Sequence, residues 1–140
     1  MIQEKDGVEV YQTDVPGNKK CTKGYGYIDF TPMQIVEFLK IPNINKKFDD
    51  MFDYSELLLS LPLNTWVQHN MLKGLFLVSW RDFVYVSHSI LYPDGKIVLG
   101  AKSIEFEACP PTDNAVRGDI EIAGWILEPY ENGTLATYIT

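Results

Sequence analysis

Two histidines, two cysteines and 19 carboxylates set against 12 basic side chains are the groups with which this 140-residue chain could do chemistry. Their spacing supports little of it. His69 and His88 stand alone within strand-like runs, where a histidine is more often packed or surface-lying than a base. No serine elbow, phosphate-cradling glycine loop or metal-binding helix motif is present. Cys21 and Cys109 lie far apart with no Cys-x-x-Cys pair, so neither a disulfide framework nor a metal knuckle is expected, and a reducing compartment follows. Arg117-Gly118-Asp119 spells an adhesion tripeptide inside a strand-like run, and Asn132-Gly133-Thr134 is a glycosylation sequon, idle in a cytosolic protein. The chain is therefore expected not to be an enzyme and to need no cofactor or metal. Arg81-Asp82, at a strand start, reads as an arginine fork tying a neighbouring strand or loop.

Composition narrows the partners. A net charge of −7 argues against nucleic acid, which needs a concentrated basic footprint, and against steady binding to an anionic leaflet. The basic doublets Lys19-Lys20 and Lys46-Lys47 are too small for a phosphate-tracking patch. No apolar run is long enough to span a bilayer, and Met1 leads into Gln3-Glu4-Lys5-Asp6 without a signal-peptide core, so a cytoplasmic location is expected.

The elements that must position these groups are mostly strands. Val8 to Tyr11 and Cys21 to Phe30 are strand candidates on either side of a turn at Asp14 to Asn18. Thr31-Pro32-Met33-Gln34 opens a helix: Thr31 caps, Pro32 sits in the first turn, Gln34 completes a capping box, and Ile35, Phe38 and Leu39 form its apolar stripe. Pro42 stops it and starts a short second helix through Phe48. Strands are then expected at Glu56 to Leu61, Thr65 to Leu72 and Leu75 to Val78, followed by a hairpin from Ser79 to Phe106. A rigid loop at Ala108 to Asn114, a long strand from Ala115 to Leu127 and a last strand from Thr134 to Thr140 complete a single α+β domain with an antiparallel sheet.

The hairpin allows faces to be assigned. A two-residue turn at Asp94-Gly95 pairs Pro93 with Lys96 and Tyr85 with Ile104. Phe83, Tyr85, Ser87, Ser89 and Leu91 then share a face with Val98, Gly100, Lys102, Ile104 and Phe106. Val84, Val86, His88, Ile90, Ile97, Leu99 and Ala101 take the other. Both faces carry large apolar groups, so both are covered or one lines a cavity. The first mixes aromatics, serines, a glycine and a lysine, the make-up of a small-molecule site. From Val116 on, the isoleucines alternate with Arg117, Asp119 and Glu121, which reads as isoleucines buried and charges wet until Trp125 and Leu127 break the pattern.

Five segments in order resemble the START domains, lipid-binding domains named after a steroidogenic regulator. Lys5 to Tyr11 is similar to that family's first strand, and Thr31-Pro32-Met33-Gln34 to its capped helix. Arg81-Asp82-Phe83-Val84-Tyr85-Val86 is similar to its most recognisable segment. Ala115-Val116-Arg117, then Gly124-Trp125-Ile126 and Pro129, are similar to a later strand. The resemblance implies a helix-grip fold, a curved antiparallel sheet wrapped on a C-terminal helix with a lipid between them. Neither that helix nor a leading one is found here, so the chain reads as one START-like domain over 1–140, truncated at both ends. Where many members carry a cavity arginine this chain has Ser87, and the expected acidic partner falls near Gln68 or Asn70. The resemblance also implies that Glu121, Ala123 and Trp125 point into the cavity.

One lipid held in a sheet-lined cavity is the expected function. Phe83, Tyr85, Ile104, Trp66 and Trp125 line the apolar wall, and Ser87, Gln68, Lys102 and Glu121 supply the polar contacts. If Lys102 and Glu121 both face the lumen, they form a pair suited to a zwitterionic head group, because either charge buried alone is costly. Transient membrane contact is expected of such a carrier. An uncovered sheet face exceeds the apolar patch a soluble monomer tolerates. That leaves a fragment, a homodimer covering the face, or the alternative function of a protein-interaction module on the same fold.

Overall fold

The computed structural model describes residues 1–140, which fall into two units. The first takes residues 1–37, 89–100 and 122–140, the second 38–88 and 101–121.

The first unit is built on antiparallel pairs. Strand β1 (Gln3–Lys5) folds onto β2 (Val8–Val15) through Asp6 and Gly7, both at positive φ, a two-residue turn whose first strand escapes a search for apolar alternation. β2 pairs with β3 (Lys19–Ile28), β3 with β10 (Gly133–Ile139), and β10 with β9 (Ala123–Tyr130), which adjoins β7 (Ile97–Ser103). Leu127 and Thr134 are fully buried, and Ala123, Ala136, Ile97 and Leu99 are buried with them. Gly124 has to be glycine, since a Cβ there would run into the backbone carbonyl of Leu99.

Helix α1 (Pro32–Leu39) starts where the capping box puts it. The Thr31 amide donates to Gln34 Oε1 at 2.9 Å, and the Gln34 amide donates to Thr31 Oγ1 at 3.3 Å. Pro32, Ile35 and Val36 form its buried stripe. Phe38, expected in that stripe, is instead 44% exposed and stacks on Phe48.

The second unit holds β4 (Phe52–Leu61), β5 (Thr65–Leu72) and the residues of β6 (Arg81–Leu91) up to His88, in antiparallel register. The short segment through Phe48 is a 3₁₀ turn, Ile44–Lys47, tied to β4 by reciprocal bonds between Asn43 and Ser55. Leu75 to Val78 is not a strand. It is a turn closed by one bridge between its ends, and its side chains have no sheet face to join.

The long strand expected at Ala115 to Leu127 is two pieces. β8 (Val116–Arg117) runs parallel to the start of β6, pairing Arg81 with Val116 and Asp82 with Arg117. Gly118 to Ile122 then breaks the chain before β9. The break resets the alternation, so the isoleucines are not the buried set: Val116 is 55% and Ile122 72% exposed, while Ala123 and Leu127 are buried. The break begins at Gly118, where a Cβ would meet the Phe83 ring, 2.6 Å from its Cζ.

Candidate functional site

Alternation along β5 and β6, in their observed register, sorts the second unit's side chains onto two faces. Trp66 pairs with Ser87, Gln68 with Tyr85 and Asn70 with Phe83, so these six share one face. On β4, Ser55 and Leu57 join it opposite Asn70 and Gln68. A directed hydrogen-bond ladder crosses this face. Trp66 Nε1 donates to Gln68 Oε1 at 2.7 Å, Gln68 Nε2 to Asn70 Oδ1 at 3.0 Å, and Asn70 Nδ2 to the Tyr85 hydroxyl at 2.7 Å. Trp66, Gln68, Asn70, Phe83 and Tyr85 are half-buried, Ser87 is buried, and Leu57 is 63% exposed. The ladder face is thus an aromatic and amide surface within reach of solvent.

The reverse face carries the charge. Asp82 is buried there, at the second residue of β6. Arg117 donates to it through Nε and a terminal nitrogen, each at 2.9 Å, and also reaches the Cys109 carbonyl at 3.3 Å. His69 Nε2 lies 2.9 Å from Asp82 Oδ2. An ionised carboxylate only accepts, so that nitrogen holds the proton in the bond. Burial pushes the Asp82 carboxyl up, but hydrogen bonds from Arg117 and His69, together with their charge, bring it below its ordinary value. The bond to Asp82 raises the Arg117 guanidinium in turn. Tyr54 stands edge-on to His69, its phenol pushed up by burial and by Glu56.

The fork expected at Arg81 therefore belongs to Arg117. Arg81 is exposed, and Asp82 is the member of that pair turned inward. Arg117, read as a wet charge, has its side chain only 19% exposed.

The hairpin register also differs from the expected one. The loop has three residues, Pro93-Asp94-Gly95, closed by Tyr92 N–H to Lys96 C=O at 2.8 Å and Gly95 N–H to Tyr92 C=O at 2.9 Å. Gly95, at φ 86°, takes the left-handed position such a loop requires. The same register joins Ile104 N–H to Val84 C=O at 3.1 Å. Pairing therefore shifts by one residue, and every β7 side chain changes face. Ala101 and Ser103 fall on the ladder's side, and Lys102 and Ile104 on the side of Val84 and Val86. The expected grouping of Lys102 and Ile104 with Phe83 and Tyr85 is corrected accordingly. Lys102 and Glu121 are both exposed, Glu121 in the bend before β9.

The nine expected residues thus separate. Trp66, Gln68, Phe83, Tyr85 and Ser87 come together on one face, Lys102 and Ile104 stand on its reverse, and Glu121 lies outside any strand. Trp125 belongs to the first unit, where it pairs in register with Tyr138, ring centroids 4.7 Å apart. Two open clefts lie elsewhere. One of about 480 Å³ is bordered by Ser79, Trp80 and residues 112–116, and one of about 510 Å³ by Pro32, Leu91, Ile97 and Pro129 among others; none of the nine borders either. Sequence reading missed Asn70 as a link in the ladder, although alternation from Gln68 points to it. It also missed the His69–Asp82–Arg117 network, whose members lie on three separate strands.

The comparisons with known proteins agree on one family. The START domain model matches residues 1–140. StAR-related lipid transfer protein 5 of Bos taurus is 30% identical over 136 residues, covering 92% of this chain and 63% of its own length. The Mus musculus protein of the same name is 28% identical over 134 residues, covering 91% and 62%. The solved structure of human StAR-related lipid transfer protein 5 matches 98% of this chain and 68% of its own with a TM-score of 0.86 at 26% identity. The chain thus spans less than two thirds of the length of these curated relatives. Its last element is β10, and no helix in it is long and apolar enough to cross a membrane. Matched from end to end, with the α+β antiparallel sheet and short helix of the helix-grip fold, this chain belongs to the START domain family.

Proposed function

We propose that this chain binds a single lipid on the ladder face of its second unit and carries it between membranes without altering it. The observation that carries this reading is a face on which Trp66, Gln68, Asn70, Phe83 and Tyr85 are left half-buried around the buried Ser87, where a packed core would have closed it. Aromatic area supplies affinity at about 25 cal/mol per Å² covered, and a few neutral polar groups orient the ligand. Membership of a family whose relatives are named lipid transfer proteins supports the reading.

The turn after β5 supplies the membrane contact. Leu75, Phe76, Leu77, Val78 and Trp80 are 63%, 100%, 90%, 49% and 42% exposed, with no charge between Lys73 and Arg81. Immersing Phe76 and Leu77 in lipid returns about 1.5–3 kcal/mol each. Such an anchor is strong enough to dock and weak enough to release. Trp80 and the flanking cations suit the headgroup level.

Transfer between vesicles tests the function. Fluorescent lipid in donor vesicles should reach acceptor vesicles faster with the protein than without it, and native mass spectrometry should find lipid on the purified chain. A chain that comes as an empty dimer and moves no lipid would refute the carrier reading.

A further inference from the structure

We infer that the lipid taken by the ladder face is one whose polar end is an uncharged hydroxyl or carbonyl, and that charged phospholipid head groups are rejected there. The inference rests on the carrier reading and deepens it.

Three observations carry it. First, the ladder is neutral. Trp66, Gln68, Asn70, Tyr85 and Ser87 have no formal charge, and neither do Ser55, Leu57, Ala101 or Ser103 on the same face. Second, apart from Arg81 at the start of β6, the charges of β5, β6 and β7, with Glu56 of β4, are turned the other way. Glu56 pairs with His69 and His69 with Val84, so Glu56, His69 and Asp82 sit on the reverse face. The three-residue hairpin loop puts Lys102 there too. Third, the ladder has capacity to spare. Each amide uses one N–H and its oxygen once in the ladder, so Gln68 and Asn70 each keep a second N–H and a second lone pair. A hydroxyl both donates and accepts, and a carbonyl accepts, so either fits an amide with one of each remaining. A phosphate would lose its water against neutral partners, with no cation among the ladder residues themselves to offset the cost.

Two cations lie near. Arg81 shares the ladder's parity but is exposed at the first residue of β6, four residues or about 13 Å along the strand from Tyr85. Lys40 is exposed, with its ammonium 5.8 Å from the Trp66 ring centroid. Both stay in water, where their attraction for a phosphate is screened.

The test uses the whole 140-residue chain and three radiolabelled probes. Phosphatidylcholine vesicles carry the label in phosphatidylcholine itself, in added cholesterol, or in added dioleoylglycerol. Label on the protein is counted after the vesicles are spun away. Cholesterol or dioleoylglycerol should load about tenfold or more above phosphatidylcholine, corrected for mole fraction. Asn70→Asp should cut that loading about tenfold, because it puts a bare carboxylate beside the ligand's polar end. Gln68→Glu repeats the test from the next position if Asn70→Asp does not fold. Lys102→Met and Arg81→Met should leave the loading ratio unchanged. Phosphatidylcholine loading equal to or above the neutral lipids, or a ratio set by Lys102 or Arg81, overturns the head-group inference and leaves the carrier reading standing. Loading of none of the three overturns both.

Discussion

Asp82 and Arg117 meet through two bonds of 2.9 Å, one from Nε to Oδ1 and one from a terminal nitrogen to Oδ2. They belong to β6 and β8, paired in parallel, and the same guanidinium reaches back to the Cys109 carbonyl. One ion pair thereby fixes a strand, a two-residue strand and a loop. With the Asp82 side chain 5% exposed, the pair is held mostly away from water.

Arg117→Met should therefore cost about 3–5 kcal/mol, since it leaves Asp82 buried without its main partner. Urea unfolding followed by circular dichroism measures the loss. Asp82→Leu combined with Arg117→Met should recover part of it, because no buried charge is then stranded. A single substitution with no shift in midpoint would show that the pair holds nothing.

The same pair sets an acid limb of stability. Asp82 titrates below its ordinary 3.8 in the folded chain, so its stabilisation is fully present above that value and is lost as pH falls through the lowered one. Urea midpoints taken from pH 6 to pH 2 should converge for the wild type and Asp82→Asn at the acid end and separate above about pH 4. Parallel curves throughout would contradict the assignment.

Gly118→Ala should destabilise the second unit, because its Cβ would press on the Phe83 ring and force it to shift. Overpacking of this kind costs about 1–3 kcal/mol. The smaller, ringless side chain of Phe83→Leu should relieve part of it in the double variant, read from thermal melts.

Phe76→Asp with Leu77→Asp should leave the fold intact, within about 0.5 kcal/mol, because both side chains are almost fully exposed. Association with phosphatidylcholine vesicles in a co-sedimentation assay should fall sharply. Undiminished sedimentation would place the membrane contact elsewhere.

Gly95→Ala should cost about 1–2 kcal/mol, since Gly95 sits at φ 86° and a Cβ there would also approach Pro129 at 3.1 Å. Amide exchange in the hairpin at Tyr92 and Lys96 should quicken in step. An unaffected hairpin would mean the loop does not depend on that left-handed residue.

Sequence alone determined the strand-rich α+β class, the capped helix at Thr31 and the family resemblance. These are written in local signals: a capping box, an Asp-Gly turn, and period-two runs of apolar residues. It also determined that Trp66 and Gln68 share a face, as do Phe83, Tyr85 and Ser87, because alternation within one strand needs no partner. Tertiary structure decided which β7 residues join them. The turn Pro93-Asp94-Gly95 can close with two residues or three, and one residue of slip reverses every side chain beyond it. Tertiary structure also decided that Arg117 is buried, because its partner Asp82 is 35 positions away and only a parallel pairing of β8 with β6 brings the two charges together. Local spacing records neither closure nor pairing. Both appear only in long-range bonds: Ile104 N–H to the Val84 carbonyl for the hairpin, and the Arg117 guanidinium to the buried Asp82 carboxylate for β8.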